Sequence, residues 1–381
     1  VKTVLVAPDS FKGSLSAVDF CRIVERAGQG VADGLNFISR PMSDGGEGFV
    51  ESITYAGLAE SHEVIVQDPL GRPVAAKFGW QPDSKTAIVE MAQASGLPRL
   101  AERELNPMAA STYGTGQVLA AAIRLGAEKI ILGLGGSATN DGGAGALQAL
   151  GFDFRNAQGD SLAFGGGALV ELDHIERNAP GLVKRDLNQI EWIIACDVSN
   201  PLLGEQGATA VFGPQKGVDE TTAPILEAGL KQLANVIEAD WGKRIEHLPG
   251  AGAAGGMAGT FVGLLDARLA SGFDLLAELL SLNEVLRDGD VHLVITGEGK
   301  MDEQTRFGKL PNRIAELAGD YDIPTVGLCG KLEATTQDLP AFFELRSIHE
   351  QVSSETDLTS LLQQSEQNLE KTIQSHLKNW L

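Results

Sequence analysis

The stretch "TVLVAPDSFKGSLSA" (3–17) starts as an unbroken β-branched run, stops at a proline, and passes through a polar loop towards a helix. "TVLVAP" (3–8) reads as a buried strand. Ser16 and Asp19 have capping-box spacing, which predicts a helix running on towards Ala27. The same order follows at once: "NFISRP" (36–41) as a strand, "MSDGGEG" (42–48) as a loop and "FVESITYAG" (49–57) as a helix. Strand, loop and helix in this alternation predict an α/β fold with a parallel, doubly wound sheet. The pattern returns near the other end, where "DVHLVITGEG" (290–299) and "IPTVGLCG" (323–330) are strands flanking the helix "LPNRIAELAG" (310–319). Leu361, Leu362, Leu369, Ile373 and Leu377 have helical spacing and predict a terminal helix packed on that domain.

The middle has a different grammar. "HEVIVQDPLGRPVAAKFGW" (62–80) predicts an antiparallel hairpin turning at "DPLGRP". "TAIVEMA", "KIILG" and "EWIIACD" add strands, and 219–240 reads as a helix. The expectation is a discontinuous domain made of residues 1–62 and 285–381, interrupted by an inserted α/β domain over 63–284.

Composition narrows the class. The 381 residues carry a net charge of −21, which argues against nucleic acid as a partner. Such a charge also repels anionic substrates at long range, so a phosphate site must recruit local cations or backbone N–H groups. Three widely spaced cysteines give no disulfide framework and point to a reducing cytosol. The longest uncharged run, His247 to Leu265, holds six glycines and a proline and is too broken to span a membrane. A cytoplasmic protein with no membrane partner is expected; oligomeric state is not written in the sequence.

Ligands of parallel α/β sheets sit beyond the carboxyl ends of the strands. Four such ends carry polar loops rich in glycine: 8–14, 41–48, 296–304 and 328–331. The inserted domain adds "IILGLGGSATNDGGAGALQALG" (130–151), "ACDVSNPLLG" (195–204) and "PGAGAAGG" (249–256). Glycine lets backbone N–H groups approach a phosphate, and a helix N-terminus adds partial positive charge. "GLGGSA" (133–138) fits a dinucleotide pattern, but "TNDGGAG" interrupts the helix that should follow immediately. No Walker-type lysine follows the loop, and six scattered histidines show no metal-ligand spacing. What remains is a mixture of loop carboxylates and cations, the combination that phosphoryl transfer uses to hold Mg²⁺, orient a hydroxyl and stabilise the transferring group.

Several strings, among them "VAPDSFKGSLSA" (6–17), "PMSDGGEGFVE" (41–51), "GLGGSATNDGGAGALQALG" (133–151), "GATAVFGPQKG" (207–217), "PGAGAAGGMAG" (249–259) and "VITGEGKMDEQT" (294–305), resemble the bacterial glycerate kinase family, in order from residue 4 to about 330. The resemblance implies ATP- and Mg²⁺-dependent phosphorylation of D-glycerate, with 2-phosphoglycerate as the product. It also implies a Rossmann- or flavodoxin-like domain interrupted by a second α/β domain, with the active site in the interdomain cleft. Lys300 stands where many relatives have arginine, and Asn312 and Arg313 stand where they usually have smaller apolar residues.

On these grounds Lys12, Asp44 and Asp197 are the expected catalytic residues, with Asp197 orienting the glycerate hydroxyl. Asp9, Ser10, Arg40 and Lys309 are expected to bind substrate. Gly133, Gly135, Gly136, Ser137, Asn140, Asp141, Gly252 and Gly255 are expected to bind nucleotide, and Glu298 and Asp302 the metal. A helix cap competes for Asp44, and an Asx-turn for Asp197. The alternatives are an NAD-dependent hydroxyacid dehydrogenase, motivated by "GLGGSA", phosphorylation at O3 instead of O2, and a hydroxyacid-binding protein without catalysis.

Overall fold

Val4 and Val6 are wholly buried because their strand, Lys2–Val6, lies inside a five-stranded sheet. It is flanked by Leu35–Ser39 on one side and Val291–Met301 on the other, followed outward by Thr325–Leu332 and Glu344–Ser347, with every pairing parallel. The computed structural model describes residues 2–31, 34–43, 45–177, 181–352 and 356–381. Ser16 caps the helix Ala17–Gln29 by accepting the Asp19 amide at 3.0 Å, the first half of the spacing read in sequence. That helix and the C-terminal helix Ser365–Trp380 lie together over the sheet, where Phe20, Val24, Leu369, Ile373 and Leu377 share a core with Ile295 and Leu328. Leu361 and Leu362 fall in a separate short helix, Leu358–Gln363.

A second sheet has the order Arg268–Ala270, Glu191–Ala195, Lys129–Gly133, Thr86–Glu90, Pro73–Gln81, Glu60–Gln67. Its first four strands are parallel and its last two form the expected hairpin. Asp68 closes the hairpin by accepting the amides of Leu70 and Arg72. The core of this region combines Phe78, Trp192 and Phe261 with leucines and alanines from the helices Tyr113–Leu125 and Ala223–Trp241. A small hairpin of Phe152–Asn156 and Leu172–Arg177, not expected from the sequence, buries Phe152 and Phe154 in the same core.

The chain divides into two compact units, one of Val1–Ser43, Glu51–Leu58 and Phe273–Leu381, the other of Asp44–Val50 and Ala59–Gly272. Two details differ from the sequence boundaries. The loop 45–50 belongs with the second unit, and the return crossing falls at Gly272 and Phe273. The first difference has a local cause, since Gly45 and Gly46 lie against the strand-end glycines 133 and 135. Among the described residues no helix is long and apolar enough to cross a membrane.

Candidate functional site

In the second unit the strand Lys129–Gly133 leads through residues 134–143 to the helix Ala144–Leu150. Asp141 sits in that loop with no solvent exposure. Its Oδ2 accepts the Thr112 amide at 2.8 Å, the Thr112 hydroxyl at 2.9 Å and the Gly145 amide at 3.3 Å, while Oδ1 accepts the Gly143 amide at 3.0 Å. Burial pushes this carboxyl up, and the four donors pull it back. Asp141, expected at the nucleotide, caps the helix start from inside, with both carboxylate oxygens engaged. Asn140 is equally enclosed, with its amide on Thr209 Oγ1 at 3.2 Å, so it too is a packing residue in this structure.

The glycines of this region are spent mainly on close approach of backbone to backbone. A Cβ on Gly133 would meet Gly45 O at 2.4 Å, and one on Gly135 would meet Gly46 Cα at 2.3 Å. The second glycine loop behaves alike. Gly252 lies against Pro201 O, and Gly255, with φ of +64°, lies against Thr139 O. The two loops are joined by the Gly142 amide donating to Gly255 O at 3.0 Å. Gly136 and Ser137 are different. Gly136 is exposed with φ of +72°, and neither its amide nor that of Ser137 has a partner among the described residues. Their neighbours are fixed, since Gly135 donates to Gly45 O, Ala138 to Ser95 O, and Gly136 O accepts from Leu97. Two successive N–H groups on a pinned glycine turn at a strand end are suited to an anion.

Glu90 escaped the sequence reading, and Lys216, read there as one of the loop cations, is buried. Glu90 ends the strand Thr86–Glu90 in register with Gly133 and is 1 % exposed. It accepts the Val50 amide at 3.3 Å, and burial pushes its carboxyl up to about 7. Lys216 is 1 % exposed in the short turn Pro214–Lys216, and its Nζ donates to Ser137 Oγ at 2.8 Å and Thr139 O at 2.7 Å. A carboxylate closing a strand was a usable signal for Glu90. Nothing in "GPQKG" says that the lysine points inward. Asp197, just past the strand Glu191–Ala195, is exposed and accepts the Gly272 amide at 3.0 Å.

In the first unit the strand Val291–Met301 carries the charged residues. Glu298 Oε1 accepts the Thr305 hydroxyl at 3.0 Å, and Oε2 lies 3.8 Å from Lys309 Nζ. Asp302 caps the turn Glu303–Arg306 and pairs with Lys309 at 3.3 Å and Lys300 at 3.1 Å. Lys300 also reaches Glu333 at 2.7 Å. Burial raises the Glu298 carboxyl, opposed by Lys309, the Thr305 hydroxyl and the charge of Lys12. The lysines hold Asp302 low, through the Lys300 hydrogen bond first. The structure thus brings Glu298, Asp302 and Lys309 together, with exposed Lys12 electrostatically in reach.

The neighbouring loop follows the strand Lys2–Val6. The Asp9 amide donates to Gly297 O at 2.8 Å, and Asp9 Oδ1 accepts the Ser10 amide at 2.7 Å. Arg40 is half-buried, with Nε on Leu280 O and Nη1 on Ser39 O, each at 3.0 Å. Two of its nitrogens are thus engaged with main-chain carbonyls. Asp44 lies outside the described residues. Of the two departures on the helix Leu310–Gly319, Arg313 stacks over Phe273 at 3.9 Å from its centroid, and buried Asn312 donates to Glu316 at 2.8 Å.

No group of three or more metal-ligating side chains occurs among the described residues. Glu298 and Asp302 are hard oxygen donors, but Lys309 already lies by both. That arrangement fits a Mg²⁺ held chiefly by phosphates with one protein carboxylate, not an all-protein cage. Glu298 Oε2, only loosely paired at 3.8 Å, is the fitting oxygen.

Comparison with known proteins gives one consistent result. A family model described as the glycerate kinase family matches residues 4–381, so the match includes the C-terminal helix that carries no recognisable sequence signature. A glycerate kinase of Halalkalibacterium halodurans is 44 % identical over 87 % of this chain and 86 % of its own. The glycerate 2-kinase of Escherichia coli K12 is 41 % identical over 86 % and 85 %. A crystal structure assigned as glycerate kinase 2 from Salmonella typhimurium LT2 superposes with a TM-score of 0.84 at 37 % identity, covering 100 % of this chain and 99 % of that one.

Proposed function

The chain belongs to the glycerate kinase family, and from that premise we propose that it transfers the γ-phosphoryl group of ATP to the 2-hydroxyl of D-glycerate. The hydroxyl oxygen forms the new P–O bond, the bond to ADP breaks, the hydroxyl proton passes to a carboxylate or to solvent, and 2-phosphoglycerate and ADP leave. The choice of O2 rests on the likeness to the protein named glycerate 2-kinase. The observation that carries the nucleotide assignment is the pinned turn with two unpartnered amides at Gly136 and Ser137. In a chain of net charge −21 such neutral N–H groups donate to phosphate oxygens where long-range attraction is lacking.

The remaining assignments follow from chemistry. Lys309 and Lys12 stabilise charge on the transferring group and on the glycerate carboxylate. Glu298, with Asp302 beside it, would hold Mg²⁺, which when bound would supply positive charge against the phosphates. Asp197 orients the attacking hydroxyl, Asp9 and Ser10 contact the glycerate, and the catalytic part given to Asp44 stands with them. The dehydrogenase alternative loses support from Asp141. A pyrophosphate would need the helix start at Ala144, whose donors are taken by a buried carboxylate.

The test is incubation with ATP, Mg²⁺ and D-glycerate, followed by phosphorus NMR of the product. A doublet from one methine proton is expected for the 2-phosphate. A triplet from a methylene group would move the transfer to O3, and no ADP at all would reject the kinase reading.

A further inference from the structure

A lysine ammonium buried to 1 % is costly unless the surrounding groups repay its lost hydration, and an apolar side chain in its place would ordinarily be cheaper. Lys216 makes no salt bridge among the described residues. Both of its acceptors, Ser137 Oγ and Thr139 O, lie within three consecutive residues of the loop after Gly133. Two more polar atoms of that loop, Thr139 Oγ1 and Asn140 Oδ1, are buried with no hydrogen bond among the described residues. The short helix Ala208–Phe212, just before the lysine turn, meets the loop through Thr209 and Asn140. The nearby charged group is Asp141, whose field favours the ammonium, while burial lowers the Lys216 pKa to about 7.

We propose that Lys216 is a positioning residue of the nucleotide site: from outside the loop its ammonium clamps Ser137 and the Thr139 carbonyl, and so aims the unpartnered amides of Gly136 and Ser137. The inference rests on the nucleotide reading of that turn given above. The opposite side of the turn is already tied to Ser95 and Leu97 through main-chain hydrogen bonds. Lys216 supplies the second side, so the peptide planes between the two ties keep one direction. Preorganised donors of this kind stabilise charge without having to reorient when it arrives. Lys216 itself touches no phosphate in this account.

The experiment compares wild type, Lys216→Met, Ser137→Ala and the double variant for kcat and for KM towards ATP and D-glycerate, with urea denaturation as a check of folding. Lys216→Met is expected to raise KM for ATP about tenfold or more with KM for glycerate within about twofold. Ser137→Ala removes one acceptor and leaves the lysine on Thr139 O, so it moves KM for ATP in the same direction by less. In the double variant the two effects fall short of adding, because both act through one contact. If Lys216→Met fails to fold, Ser137→Ala alone decides. An unchanged KM for ATP in folded variants overturns the inference, as does an equal rise for both substrates. Absence of ADP from the wild type would instead remove the nucleotide reading beneath it.

Discussion

The two units both place acidic, glycine-containing loops at the ends of parallel strands, yet they use them oppositely. In the second unit two of the acids and most glycines are turned inward: Asp141 is saturated by four donors, Glu90 is buried against a main-chain amide, and Gly133 and Gly255 admit other backbone, while Asp197 stays exposed. In the first unit Glu298, Asp302 and Lys309 stay close to solvent and pair with each other, at 3.3 Å and 3.8 Å from the shared lysine. A glycine-rich loop with a carboxylate thus signals a strand end, and the partners of the carboxylate decide whether it builds the scaffold or meets a ligand.

The contrast is broken most forcefully at Asp141. Asp141→Ala leaves buried donors on Thr112, Gly143 and Gly145 without an acceptor, and a loss of about 3–5 kcal/mol in urea denaturation is expected. A loss below about 1 kcal/mol would return Asp141 to the list of functional candidates.

Glu90 tests the same inward use through pH. Its folded pKa of about 7 lies above the ordinary 4.5, so the folded protein binds the extra proton and the carboxylate form costs stability. The contribution of the neutral form is complete below about 4.5 and is lost as pH rises to 7. Across that window the wild type should lose up to about 3 kcal/mol relative to Glu90→Gln, measured as the difference between their denaturation curves. A pH-independent difference would show that the carboxyl titrates normally.

The outward use predicts the reverse signature. Lys309→Met should lower kcat by about 100-fold while changing stability by about 1 kcal/mol or less, because a partly exposed pair contributes little to folding. Retained turnover would make the cluster a surface ion-pair network. The mildest contrast lies among glycines. Gly133→Ala drives a methyl into Gly45 O and should cost about 1–3 kcal/mol. Gly57→Ala meets nothing within 4 Å and pays only for its φ of +71°, about 1 kcal/mol.

The α/β architecture was legible because its cues are local. The run 3–8, the Ser16 cap and the 1,4 spacing of Leu369, Ile373 and Leu377 each report their own surroundings. The loop 45–50 was assigned to the wrong side because its allegiance is set by glycines 88 residues away in the chain, where Gly45 meets Gly133. The site was half legible for the same reason. Sequence shows that Asp141 and Lys216 are on loops, but not that Thr112 and Ser137 meet them from distant segments. Glycine compounds the difficulty, since closeness to a phosphate and closeness to another backbone make the same demand on a side chain.

Backbone amide shifts of nitrogen-15-labelled protein during titration with a non-hydrolysable ATP analogue and Mg²⁺ test the division most directly. Gly136 and Ser137 are expected to shift saturably, while Gly143 and Gly145, held on Asp141, stay in place. Saturable shifts at Gly143 and Gly145 with none at Gly136 and Ser137 would contradict that division.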